Sequence, residues 1–115
     1  MMKVLFFTLA SGRAPVLEFI RELELRPRAE TFRTLELIES KGLDAANVSF
    51  RHIQDKVWEI RGRSGAEVRI FYVIRAERGL KSKEAMILLH GYLKKTAKAP
   101  KKEIEIAVQR AKEVM

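Results

Sequence analysis

The chain contains no cysteine, which excludes a disulfide framework and any thiolate metal site and suits a reducing compartment. No run approaches the eighteen or so consecutive apolar residues that a membrane-spanning helix requires. The opening MMKVLFFTLASG superficially resembles a secretory signal. Its apolar run is very short, and the residues after it read as a helix packing on a first strand, so it is expected to be structural. No internal repeat, low-complexity segment or linker interrupts the sequence, and residues 1–115 are read as a single domain. There is no glycine-rich phosphate loop, no carboxylate pair at useful spacing and no His/Cys/Asp cluster. Glu59 is the only acidic residue inside the core strands of the expected site, Glu67 standing at a strand's start, which disfavours divalent-metal catalysis.

What is present is a globular balance, 47% apolar and 33% charged residues, with a formal net charge of +8. That charge is concentrated in one piece. Residues 50–102 hold 14 Lys/Arg against 5 Asp/Glu, about +9, and the remainder holds 9 against 10, about −1. A basic domain with this asymmetry is expected to meet a polyanion.

Residues 3–9 (KVLFFTL) are strand-like, and Ser11-Gly12 breaks them. Pro15 suits a first-turn helix position, where its missing N–H costs nothing. Val16, Phe19, Ile20 and Leu23 then recur at helical spacing. Phe32, Leu35 and Ile38 mark a second helix that stops at Gly42, the two being joined near Arg26-Pro27. Residues 43–49 read as a polar loop, 50–53 as the beginning of a strand and 54–56 as a turn. Residues 57–61 form the next strand, with Trp58 and Ile60 on one face and Glu59 and Arg61 on the other. Residues 63–66 supply a hairpin turn. The following strand places Val68, Ile70, Tyr72 and Ile74 on one face, and Glu67, Arg69, Phe71, Val73 and Arg75 on the other. Trp58 and Tyr72 read as core. Residues 77–83 are a charged loop, and 85–89 an unbroken apolar run of the kind covered on both faces. Pro100 opens a last helix whose apolar stripe is Ile104, Ala107, Val108 and Ala111, with Glu103 and Glu105 where the helix dipole favours acids. The order strand, two helices, three or four strands, helix predicts an α+β fold: a curved sheet backed by helices on one face.

Three blocks in this order, Val57-Trp58-Glu59-Ile60-Arg61, Val68-Arg69-Ile70-Phe71-Tyr72 and His90-Gly91-Tyr92-Leu93-Lys94-Lys95-Thr96, resemble the RelE/HigB-type toxin superfamily. The last block, with Pro100, Glu103-Ile104 and Ala107, is similar to its phage-derived HigB-like branch. The resemblance covers nearly the whole chain. It implies a RelE-like twisted, mainly antiparallel sheet packed against an N-terminal helical hairpin, with a C-terminal helix. It also implies a cytoplasmic toxin of a toxin–antitoxin pair, a ribosome-dependent endoribonuclease (mRNA interferase) that inhibits translation without metal or other cofactor. The implied partners are the ribosome, mRNA and a cognate antitoxin of helix-turn-helix type. Some members place a catalytic tyrosine near the C-terminus. Here Ala99-Pro100-Lys101-Lys102-Glu103 stands in that region, so the acid or base must come from elsewhere.

Metal-free RNA cleavage needs a base for the ribose 2′-hydroxyl, fixed cations at phosphorus and an acid for the leaving 5′-oxygen. Arg69 is the first candidate, because a guanidinium grips phosphate with two hydrogen bonds and keeps its charge. Its plainer reading is a cross-strand partner for Glu59, the less favoured of the two. Arg61 shares that face, as a second clamp or a surface ion pair. His90 is the natural titrating group, and the cations around it favour the neutral imidazole that a general base requires. Lys94 and Lys95 are candidates to replace the tyrosine in proton transfer, or bind backbone phosphate with Lys98. Arg51, Arg63 and Lys101 extend the RNA-binding set, and Tyr92 is expected to stack on an unpaired base. Two rivals remain open: a non-nucleolytic toxin of the same fold that poisons a protein such as DNA gyrase, and a basic RNA- or ribosome-binding module without chemistry.

Overall fold

In the computed structural model, residues 2–62, 67–77, 83–95, 97 and 100–115 are described, Lys83 by its backbone alone. Five strands form one sheet: β1 (Lys3–Phe6), β2 (Ser49–Gln54), β3 (Val57–Arg61), β4 (Val68–Glu77) and β5 (Lys83–Leu93), in the order β1-β5-β4-β3-β2. β1 runs parallel to β5, and all other neighbours are antiparallel. A connection of two helices, α1 (Pro15–Arg21) and α2 (Leu25–Lys41), separates β1 from the antiparallel strands, and α3 (Lys101–Val114) ends the chain. The fold is therefore α+β, as the element order predicts, with the mainly antiparallel sheet that the resemblance implies.

Two details of the helical connection differ from the sequence reading. The break falls between α1 and α2 at residues 22–24, and Pro27 lies inside the first turn of α2. There its missing N–H removes no intrahelical bond. Gly42 ends α2 with φ at 64°, a left-handed geometry that favours glycine.

The larger correction concerns the layers. Helices cover both faces of the sheet, not one. Val16, Ile20, Leu35 and Ile38 of α1 and α2 pack with Ile60, Ile70, Tyr72, Met86 and Leu88 on one face. Ala107 and Ala111 of α3 pack with Val57, Phe71, Val73, Ile87, Leu89 and Tyr92 on the other. The unbroken run Ala85-Met86-Ile87-Leu88-Leu89 is what a strand between two helical layers needs, and each of its residues is 3% exposed or less. Trp58 also departs from expectation. It shares the α1/α2 face opposite Tyr72, yet is 38% exposed and meets His52 edge-on at 5.2 Å. The contacts of α1 and α2 fall mainly on β5 and β1, so the β2–β3 side is left partly uncovered.

The expected hairpin turn at residues 63–66 lies outside the described residues, although the strands on either side of it pair antiparallel. Residues 78–82 of the expected charged loop likewise lie outside them.

Candidate functional site

Strand alternation places Glu59 and Arg61 of β3, and Arg69 and Phe71 of β4, on the face that α3 covers. Register makes them neighbours: Glu59 is opposite Phe71, and Arg61 is opposite Arg69. On the other side of β4, Arg69 faces Tyr92 and Phe71 faces His90. Two rows thus cross three strands, Glu59–Phe71–His90 and Arg61–Arg69–Tyr92.

His90 reaches this face because of a bulge. Phe71 pairs with His90 and Tyr72 with Leu88, so Leu89 is the extra residue. Without it, strict alternation would turn His90 toward α1 and α2. Instead, the His90 ring stacks on Phe71 at 6.4 Å. After the bulge the alternation is reset, so Gly91 faces α1. Its missing side chain matters there, because a Cβ would fall within 2.7 Å of Phe19 Cε2.

Beneath the arginines lies a buried acid. Glu59 is 2% exposed, accepts a hydrogen bond from the Tyr92 hydroxyl at 3.0 Å, and its other oxygen lies 4.0 Å from Arg69 Nε. Burial, reinforced by the Glu59 charge and hydrogen bond, pushes the Tyr92 phenol well above its ordinary pKa, so it remains a donor. Arg69 Nη1 also donates to Val68 O at 3.1 Å. Arg61 Nε is buried and makes no hydrogen bond among the described residues. Two like charges directly opposite each other on a sheet are unfavourable without an anion to share. Here the Glu59 carboxylate lies beside Arg69.

α3 runs along β4, its first turn beside His90 and its end beside Arg75, whose Nη1 donates to Val114 O at 3.2 Å. His90 Nε2 lies 2.8 Å from Glu103 Oε2. Arg110 Nη1 donates to Leu89 O at 2.8 Å and lies 3.4 Å from His90 Nδ1. The Arg110 guanidinium also sits over the Phe7 ring at 5.2 Å. A guanidinium has only donors, so Nδ1 accepts, and the imidazole proton resides on Nε2, where it is donated to Glu103.

Of the residues singled out from the sequence, Arg61, Arg69, His90 and Tyr92 come together on one face. Lys94 continues the ladder by one step, its N–H bonded to Glu67 O at 2.7 Å, and Lys95 after it is exposed. Arg51 is exposed on edge strand β2, opposite Glu59, and Lys101 is exposed in the first turn of α3. Arg63 and Lys98 lie outside the described residues. Tyr92 does not offer the base-stacking ring expected of it. It is 6% exposed, and its ring is stacked on Phe71 at 5.3 Å. His90 reaches the site, but both ring nitrogens are engaged.

Sequence reasoning missed Glu103 and Arg110 as site residues. The available signal was their seven-residue spacing, which places two polar groups on one side of α3 beside its apolar stripe. Among the described residues, no group of three or more His, Cys, Asp or Glu side chains is placed to hold a metal ion. No helix among them is long and apolar enough to cross a membrane.

Fold and site together define a small α+β domain whose cationic sheet face is arranged around an anion. Residues 18–112 match the family of phage-derived Gp49-like proteins, and the chain belongs to that family. The family is part of the RelE/HigB-like toxin superfamily and is associated with the toxins of toxin–antitoxin systems, which implies an antitoxin partner. No curated protein matches the chain.

Proposed function

We propose that this protein is a toxin of the HigB-like branch and a ribosome-dependent mRNA endoribonuclease that cleaves through the ribose 2′-hydroxyl without a metal. The observation that carries this reading is the direct cross-strand opposition of Arg61 and Arg69 above the buried Glu59. A bridging phosphate relieves the repulsion between two fixed guanidinium groups and is gripped in the same act. Glu59 and Tyr92 hold the Arg69 side of that clamp. The His90–Glu103 pair at the head of α3 supplies acid–base groups within the same surface. Lys94 follows Tyr92 on the ladder and is the nearer of the two lysines to the clamp by register, which suits it to protonate the leaving 5′-oxygen. Lys95, Arg51 and Lys101 surround the site with further positive charge for the RNA backbone.

This reading places the protein's work in the cytoplasm, with the translating ribosome presenting the mRNA. Its antitoxin, of helix-turn-helix type, is proposed to cover the cationic face or to clamp the sheet against its helices.

Mapping of mRNA 5′ ends in a translating extract tests the proposal. Cuts that require active ribosomes and disappear with Arg69→Ala are expected. Growth arrest with intact mRNA and blocked DNA supercoiling would overturn it in favour of a gyrase poison. RNA binding without cuts would leave only a binding module.

A further inference from the structure

We propose that Glu103 is a catalytic residue, the proton acceptor for the 2′-hydroxyl, and that His90 positions it. This inference rests on the nuclease reading above and names the base within that site.

The geometry of His90 leads to it. The imidazole is held between two partners from one helix, Arg110 at Nδ1 and Glu103 at Nε2. Because Arg110 can only donate, Nδ1 uses its lone pair on the guanidinium and Nε2 carries the proton. A neutral imidazole in that arrangement has no vacant lone pair with which to take a proton from RNA. Arg110 is itself anchored to the carbonyl exposed by the β5 bulge, so the ring is fixed from below and cannot readily turn the other nitrogen outward.

Glu103 is placed differently. Only its Oε2 is engaged, leaving Oε1 without a hydrogen bond among the described residues. Its side chain is 27% exposed, against 16% for His90. It lies in the first turn of α3, at the end of the sheet where Arg69 and Tyr92 stand. By register the His90 row adjoins the Arg69–Tyr92 row on the same face, so the carboxylate bonded to His90 lies beside the arginine clamp.

The step balances without a further reactant. Glu103 Oε1 takes the 2′-hydroxyl proton, the 2′-oxygen forms a bond to phosphorus, and the bond from phosphorus to the 5′-oxygen breaks. The leaving oxygen is protonated by Lys94 or water. The products are a 2′,3′-cyclic phosphate and a 5′-hydroxyl end, and nothing is oxidised or reduced. His90 donates to Glu103 throughout and aims its outer oxygen.

Single-turnover cleavage of ribosome-bound mRNA by full-length protein tests this. Glu103→Gln retains an acceptor for the His90 N–H but accepts no proton. It is expected to slow cleavage by about 10²- to 10⁴-fold, the usual contribution of a positioned base, with ribosome binding and melting temperature unchanged. Glu103→Asp is expected to recover part of the rate. An mRNA with sulfur in place of the scissile 5′-oxygen separates base from acid, because a thiolate departs without protonation. Glu103→Gln should remain slow on it, whereas Lys94→Ala should be rescued.

Wild-type rates in Glu103→Gln, or its rescue by the sulfur substrate, overturn the assignment while leaving the nuclease reading intact. An absence of ribosome-dependent cuts by the wild-type protein defeats the nuclease reading and this assignment together.

Discussion

Arg110 donates to the carbonyl of Leu89 at 2.8 Å across the gap between α3 and β5. The bulge that frees this carbonyl is the one that turns His90 onto the α3 face, so a helix residue satisfies the backbone group displaced to aim a site residue. Burial lowers the guanidinium pKa from its ordinary value, against a smaller opposing effect of Glu113, but arginine remains charged at any physiological pH.

Arg110→Met keeps the apolar stem over Phe7 and removes the donor. Leaving the Leu89 carbonyl buried without its partner is expected to cost about 1–3 kcal/mol, read by urea denaturation. Cleavage should slow as well, because Nδ1 of His90 loses its donor and the ring loses its fixed orientation. A variant as stable and as active as wild type would show that the bulge does not depend on this helix.

Arg61 and Arg69 should part company when each is removed. Arg61→Ala relieves a like-charge opposition, so stability without RNA is expected to be unchanged or to rise by up to about 1 kcal/mol. Its cleavage rate should fall about 10²- to 10³-fold, the scale of losing one charge-stabilising donor. Arg69→Ala should lower both, because it removes the cation beside the buried Glu59. Thermal unfolding alongside mapped cleavage distinguishes the two, and an active Arg61→Ala protein would contradict the clamp.

Alkaline stability should report on the only two tyrosines in the chain. Tyr72 is raised above its ordinary value of 10.0 by burial, and Tyr92 by burial and then by Glu59. For a group whose folded pKa is raised, stability is fully present below the unfolded value and is lost as pH rises through the folded one. Stability is therefore expected to be flat up to about pH 10 and to fall above it. Tyrosinate absorbance should appear together with loss of circular dichroism rather than before it. Tyr92→Phe should halve the absorbance change and destabilise the protein by about 1.5–3 kcal/mol near neutrality, since Glu59 loses a hydrogen bond to a charged group. Absorbance that develops while the fold is intact would mean that the phenols are accessible.

Gly91→Ala places a methyl against the Phe19 ring. Overpacking of this kind is expected to cost about 1–3 kcal/mol, measurable by chemical denaturation. Phe19→Leu in the same chain should return part of the loss, and failure to do so would point to a backbone rather than a packing effect.

Local pattern alone established much of this protein. The alternation in Val57-Trp58-Glu59-Ile60-Arg61 and Val68-Arg69-Ile70-Phe71-Tyr72 assigned Glu59, Arg61 and Arg69 to one face, because a period of two is a property of the extended backbone and needs no neighbour. The concentration of positive charge and the apolar run of β5 were equally legible. Tertiary structure decided what crosses between elements. The pairing of Arg61 with Arg69 is a matter of register, and the side that His90 faces depends on one extra residue in β5. The placing of α3 opposite α1 and α2 rests on which apolar stripe finds which sheet face. None of these is carried by residues adjacent in sequence, so Glu103 and Arg110, ten and seventeen residues beyond the end of β5, became part of the site only when the helix packed down on the bulge.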